Sequence, residues 1–363
     1  MDELQLFSTV FYRVRLFSIV SMFKPDFQIT NNILQQIAEI EASKQIIENA
    51  PLVPAWERRF KEEAVIRQVH HSTAIEGNEL NYTEAKDLVE GKKIDSMRKR
   101  DVQEILNYRK AISFISSNKK YELTLDFILS LNKTLLADIM DAGELGKLRE
   151  KGVVIMSSKT QDVVMEPPSG KEIGSEIEDL LDWYNKDSQA VNPILVSGIL
   201  QHEVARIHPF IEGNGRTARL LSTWSLYVTG YDIKEFFSLD EYYDQDAKSY
   251  YDALASADDG ELTKWLEYFT RGLGEELSRV KGKILDISRD VKLRKTAGQV
   301  ALSDRQIKLI QFMEENESLQ NRDWKTLLPD VSDDTILRDL KDLIDKKVVK
   351  KGGRTKAAKY QLI

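Results

Sequence analysis

Cysteine is missing altogether. That excludes disulfides, thiolate zinc sites and cysteine nucleophiles, and it fits a reducing, cytoplasmic setting. Histidine is scarce: His70, His71, His202 and His208 are all there are, so an imidazole-rich metal centre is not expected. No apolar run reaches the roughly 20 residues that a membrane span needs, and no membrane partner is expected. The nearest candidate, residues 4–23, has Arg13 and Arg15 in its middle. Asp2 and Glu3 stand where a secretory signal would be basic. The stretch reads as a soluble segment packing on the body; a true start at Met22 is the alternative. There is no Gly-x-x-x-x-Gly-Lys-(Ser/Thr), which excludes a P-loop, and no internal repeat or low-complexity tract.

What is present is an ordinary folded composition. The 363 residues suffice for two or three domains. Acidic residues outnumber basic ones 59 to 52, which argues against a chain wrapped in nucleic acid but leaves room for a local basic patch.

Nearly the whole chain reads as helix. Ile33, Leu34, Ile37, Ile40, Ile46 and Ile47 follow helical spacing until Pro51 and Pro54 break it. A second helix is predicted over 56–75, ending at Gly77-Asn78, and a third follows with Thr83 as its N-cap. Others are predicted over 102–117, 124–137, 171–185, 193–207 and 261–295. One β interruption stands among them. Residues 153–156 and 163–166 read as two short strands joined by 157–162, a hairpin whose role the pattern leaves open. After a break at 296–298, helices over 303–315, 321–328 and 332–346 precede strand-like runs at 348–349 and 360–363 around a basic turn. That is the order of a winged helix-turn-helix. The expected fold is mainly α, a helical bundle with a small β-hairpin, plus a C-terminal winged helix. The expected boundaries are 1–110, 111–295 and 300–363.

The chemistry concentrates in His208-Pro-Phe-Ile-Glu-Gly-Asn-Gly-Arg-Thr-Ala-Arg219. Gly213-Asn214-Gly215 follows one helix and precedes another. Glycine and asparagine tolerate positive φ, so successive backbone N–H groups can face one concavity and bind an anion. The following helix aims its positive end at the same place. Arg216 and Arg219, three apart, add two forked cations suited to phosphate. Glu212 is one carboxylate beside phosphate-binding groups, the arrangement magnesium wants when substrate phosphates and water complete its shell. His208 is the nearby group that titrates close to neutrality, hence the candidate general base. Together these make a phosphoryl- or nucleotidyl-transfer site.

The segment matches His-x-Phe-x-(Asp/Glu)-Gly-Asn-Gly-Arg-x-x-Arg at every fixed position, and so resembles the Fic family. Ser72-x-x-x-Glu76-Gly77 is similar to the inhibitory motif (Ser/Thr)-x-x-x-Glu-(Gly/Asn) of regulated members. Gly146-Lys-Leu-Arg149 is similar to the Gly-x-x-Arg before the family's flap hairpin. The likeness covers roughly residues 25–290. It implies a Fic-type helical bundle over 111–295, preceded by a region carrying an inhibitory helix. The implied activity is protein adenylyl transfer from ATP. His208 would deprotonate a Tyr, Thr or Ser hydroxyl of a target protein, or of the chain itself, for attack on the α-phosphate with loss of pyrophosphate. Glu212 would hold Mg²⁺, and Gly213, Asn214 and Gly215 would cradle the phosphates. Arg216 would meet the β-phosphate and Arg219 the γ-phosphate, while Phe210 anchors the loop. Gly215 fits nucleotidyl transfer, since phosphorylating members carry Lys there. Val153, Ile155, Val163 and Met165 would lie in the target-docking flap. Ser72 and Glu76 would form the brake. A glutamate in a helix's last turn faces the negative dipole end, which makes sense opposite a cation such as Arg219; a solvated surface glutamate is the other reading.

Other residues draw plainer readings. His70 and His71 are adjacent on a helix, about 100° apart, and cannot chelate one ion together. His202 reads as a core histidine. Tyr242, Tyr243, Tyr250 and Tyr251 can stack an adenine or pack helices. The C-terminal module supports an alternative function, a DNA-binding regulator. Lys346, Lys347, Lys350, Lys351, Arg354, Lys356 and Lys359 suit a phosphate backbone. Against it, the presumed recognition helix carries Asp333, Asp334, Asp339, Asp342 and Asp345, which would repel phosphates. Protein recruitment or weak nucleic-acid contact is therefore expected of it, and a homodimer is left open.

Overall fold

The structure, a computed structural model, describes residues 23–50, 52, 54–94, 98–120, 122–156, 163–296, 303–346, 348–353 and 358–362. The apolar stretch before Phe23, the hairpin tip 157–162, the break at 297–298, and Lys347, Arg354 and Lys356 lie outside the described residues.

The chain is mainly helical. It opens with α1 (Asn31–Glu48), α2 (Pro54–Ala74), α3 (Tyr82–Val89), α4 (Lys99–Ser117) and α5 (Leu125–Leu136). A hairpin of β1 (Ile155–Met156) and β2 (Val163–Met165) follows, then α6 (Ile173–Lys186), α7 (Pro193–Ile207) and α8 (Asn214–Val228). Next come α9 (Leu239–Gln245), α10 (Ala247–Ala255) and the long α11 (Thr263–Thr296). Local chemistry sets several ends. The N-cap of α3 is Asn81, not Thr83: its side chain accepts from the Thr83 and Glu84 N–H groups while Glu84 returns a bond to its backbone. Beyond α2, Gly77 adopts φ +93° and the Asn78 N–H closes on the Thr73 carbonyl at 3.1 Å, a Schellman-type stop. The hairpin pairs Ile155 with Met165 and Met156 with Val163. Val153 and Glu166, expected within strands, fall outside them.

One buried cluster runs from Ile33 to Ile284, so the regions read as 1–110 and 111–295 share a core. At its centre α7 packs along α8. Every residue of α7 from Ile194 to Val204 is buried, as befits a helix surrounded on all sides. Against this centre α2 packs with α3, α4 and α9, burying Phe60, Ile66 and Val69. The helix that ends near Glu76 is thus a core element.

Residues 303–362 build a second cluster around Leu309, Trp324, Leu340 and Tyr360. Its elements are α12 (Asp304–Asn316), β3 (Leu319–Gln320), α13 (Trp324–Leu327), α14 (Asp333–Asp345), β4 (Val349–Gly352) and β5 (Lys359–Leu362). The sheet is antiparallel in the order β3-β5-β4. The two-residue strand β3 was not expected, being too short to show alternation. Three of the α14 carboxylates have partners within the module: Asp339 takes Arg305 at 2.8 Å, Asp342 takes Gln306 at 2.7 Å, and Asp333 accepts from the Trp324 indole at 3.1 Å.

Candidate active site

His208 stands where α7 ends. Asn192 opens that helix by accepting from the Ile194 N–H at 2.9 Å. Pro209 cannot continue it, and His208 itself takes a left-handed conformation, φ 50° and ψ 58°. This is a costly backbone for a non-glycine residue and is kept only where surroundings enforce it. Arg149 supplies the enforcement. Its Nε donates to the His208 carbonyl and its Nη1 and Nη2 to those of Lys151 and Pro168, each at 2.7 Å. One guanidinium therefore ties the histidine to both roots of the hairpin. The His208 Nδ1 lies 3.3 Å from the Ala205 carbonyl, which places the proton on Nδ1 and leaves the Nε2 lone pair free to accept. Burial and the nearby Arg149 charge hold this imidazole below its ordinary 6.5, with the Ala205 bond and Glu76 opposing. It is neutral, and basic, at neutral pH.

The next residues form a rigid loop. Phe210 is buried, and Asn214 brackets its backbone, accepting from its N–H at 2.8 Å and donating to its carbonyl at 2.9 Å. The concavity differs from the expected run of positive-φ residues. Only Gly213 has positive φ, +79°, because α8 already begins at Asn214. The anion seat is therefore the N-terminus of α8, whose cap residue offers no side-chain acceptor. Arg216 lies buried in the first turn, and its Nε has no hydrogen-bond partner among the described residues. An orphaned buried donor beside free helix N–H groups fits a bound phosphate.

Arg216 and Arg219 part company rather than share a face. Arg216 reaches Glu212 at 3.4 Å and Glu104 at 3.6 Å. Arg219, 2 % exposed, turns to α2. Its Nε donates to Ser72 Oγ at 2.9 Å, and its Nη2 donates to the Ser72 carbonyl at 2.8 Å and to Glu76 Oε1 at 2.9 Å. The Asp240 carboxylate lies 3.1 Å from the same Nε. Burial works against the charged guanidinium, yet Glu76 and Asp240 outweigh it and hold Arg219 well above its ordinary range. Glu76 also presses on Gly215: a Cβ there would come within 2.4 Å of Glu76 Oε1. Gly215 is thus needed for close approach, and a carboxylate oxygen sits at the mouth of the anion seat.

Residues 122–226 match the Fic/DOC family. The chain carries a Fic domain. The sequence is 26% identical over 243 residues to the protein adenylyltransferase Fic of Drosophila willistoni, covering 64% of this chain and 45% of that one. It is 28% identical over 221 residues to that of Nematostella vectensis, with 59% and 48% covered. The chain spans about half the length of the curated relatives it matches. Its fold is similar to that of a Fic family protein from Desulfovibrio desulfuricans G20, with TM-score 0.67 and 23% identity, covering 94% of this chain and 98% of that one. It is also similar to Fic-1 from C. elegans, with TM-score 0.56 and 22% identity, covering 71% and 74%. Ser72 and Glu76 lie outside the stretch matched to the family, and the fold brings them to Arg219 all the same.

Between the Fic domain's loop and α10 lies a cavity of ≈ 210 Å³, lined by Glu76, Met165, His208, Gly215, Arg219 and Tyr251 among others. That is below the ~300–1,000 Å³ usual for small-molecule sites, as expected with a glutamate projecting into it. Met165, one of the expected hairpin residues, lines it. Tyr250 and Tyr251 do so too, while Tyr243 is buried and stacks on Tyr250 at 4.4 Å, so the tyrosines divide between cavity wall and packing. His202 is buried, its Nδ1 3.0 Å from Glu203. Among the described residues no group of three or more His, Asp or Glu is placed to hold a metal. Glu212 nevertheless suits magnesium's habit of taking one carboxylate with substrate phosphates, its bound arginines sharing a single oxygen, Oε1. No described helix is long and apolar enough to cross a membrane. Sequence reasoning missed Arg100, Glu104, Asn132 and Asp240. Their partners, Glu212 for Arg100 and Asn132, Arg216 for Glu104 and Arg219 for Asp240, are distant in sequence, and only the fold reveals them.

Proposed function

We propose that the chain is a protein adenylyltransferase, moving AMP from ATP to a Tyr, Thr or Ser hydroxyl of a protein, and that Glu76 restrains it. One observation carries the reading: a carboxylate oxygen already sits at the mouth of the anion seat, against Gly215 and Arg219, beside a neutral, partly buried histidine. His208 takes the hydroxyl proton on Nε2 as the oxygen bonds to the α-phosphorus and the bond to pyrophosphate breaks. The N–H groups at the start of α8, from Asn214 and Gly215, hold the phosphates, with Arg216 on the β- and Arg219 on the γ-phosphate. Mg²⁺, when bound, would neutralise phosphate charge, with Glu212 as its protein ligand. Val153, Ile155, Val163 and Met165 belong to the hairpin that presents the target. The working units are the region 1–110 with Ser72 and Glu76, the catalytic core 111–295 and a winged-helix module 300–363. A cytoplasmic setting, self-modification and a homodimer belong to the same reading.

Incubation with α-labelled ATP and Mg²⁺ should label the chain or a target, and His208→Ala should cut this by about 10²–10⁴-fold without loss of helical signal. Label arriving from γ-labelled ATP alone would make the enzyme a phosphotransferase instead. A second reading, a DNA-binding regulator acting through 300–363, gains from the pairing of Asp339 with Arg305 and of Asp342 with Lys346, which offsets the charge of two carboxylates that counted against it.

A further inference from the structure

Glu212 belongs to a ring of four charges. Arg100 Nε donates to Glu104 Oε1 at 3.2 Å, and Arg100 Nη2 bonds Glu212 Oε1. Arg216 reaches the same two carboxylates at 3.6 and 3.4 Å. Asn78 fixes the inner corner, donating to Glu104 Oε2 at 3.0 Å. The two arginines differ in freedom. Arg216 is buried in α8, whereas the Arg100 side chain, at the start of α4, is 57% exposed. Both guanidinium groups take one oxygen of Glu212, so two cations already share its charge before any metal arrives.

A divalent ion using this carboxylate would meet a guanidinium at bonding distance. The two cations share the charge of one carboxylate and repel each other at a few ångströms. We propose that Arg100 is a positioning residue that holds Glu212 in the nucleotide-free protein and must let it go for Mg²⁺ to enter, so that Arg100 sets the metal affinity of the site. The inference rests on the adenylyltransferase reading, and within it on Glu212 as the metal carboxylate. Release has an end state at hand: Arg100 can keep Glu104 through Nε while its exposed Nη groups turn to water. Arg216, enclosed on α8, has no such exit. The contact shares no residue with Glu76 and Arg219, so it restrains the site independently of that pair.

The test measures α,β-methylene ATP binding by calorimetry, once with Mg²⁺ and once in EDTA. The ratio of the two affinities isolates the metal's contribution from any direct effect on phosphate binding. Arg100→Ala should raise that ratio about two- to fivefold, the scale of a largely exposed ion pair. Arg100→Lys, which keeps the charge, should stay near wild type, and Glu212→Gln should abolish the metal's contribution. A ratio in Arg100→Ala equal to or below wild type, in protein with an unchanged melting curve, overturns the proposal. If Glu212→Gln keeps the full ratio, Glu212 is not the metal carboxylate and the proposal falls with that assignment. Absence of nucleotide binding even in EDTA would instead bring down the adenylyltransferase reading itself.

Discussion

A guanidinium buried as deeply as that of Arg219 must be compensated, and Ser72, Glu76 and Asp240 share that task. The sharing decides what mutations do. Glu76→Gly removes one carboxylate but leaves Asp240, so the arginine stays paired and becomes available to a γ-phosphate. AMP transfer should rise by about an order of magnitude, read as incorporation from α-labelled ATP. Arg219→Ala should not imitate it, because it removes the phosphate ligand and strands Asp240, and the double mutant should behave like Arg219→Ala alone. Unchanged labelling in Glu76→Gly would make the contact purely structural. The same variant carries a pH signature. Burial and Arg149 hold His208 below 6.5 while Glu76 pulls it upward. The base must be neutral to act, so activity should rise with pH through a midpoint below 6.5. In Glu76→Gly that midpoint should move lower still, since an acid-stabilising charge has gone.

At the level of elements, Arg149 makes the hairpin and His208 one mechanical unit, bonding the carbonyls of Lys151 and Pro168 as well as that of His208. A short ladder with such anchored roots suits docking an extended peptide by backbone bonds. Deleting 157–161 should therefore depress transfer to a protein target while nucleotide affinity, by calorimetry, changes little; full target labelling after the deletion would leave the hairpin without a role. Much of this was readable in the residues. Periodicity located the helices, and Pro193, Pro209 and Gly77 marked ends, because those signals act within a few residues of themselves. What escaped depends on distance in the chain. Nothing local tells Arg100 from any surface arginine, or shows that Asp240 meets Arg219. Thr83 was a reasonable cap until Asn81, two residues earlier, proved able to satisfy two N–H groups at once. The start of α8 was misplaced because Asn214-Gly215 favours a turn by propensity, whereas the packed core around Phe210 draws both residues into the helix.

For the molecule as a whole, the described residues pack into two buried clusters. The second cluster leaves Lys350, Lys351 and Lys359 exposed along its sheet. The full chain should shift duplex DNA in gels at low salt, weakly and with affinity falling as salt rises, and replacing these three lysines by alanine should flatten that dependence. No shift at any salt would leave protein recruitment as the module's role. The first cluster has a kinetic implication. Phe60, Ile66 and Val69 make α2 part of the shared core, and each would lose about 1.5–3 kcal/mol if exposed. Peeling the helix away is therefore closed as a route to activation. What can change is the torsion of one side chain, Glu76, which is 27% exposed. Such rotations take picoseconds to nanoseconds, against turnover times of about a millisecond to a second. The two arrangements of Glu76 would exchange many times within each catalytic cycle. Restraint of this kind is a Boltzmann weight rather than a latch, and it should yield continuously as ATP rises instead of tripping at a threshold.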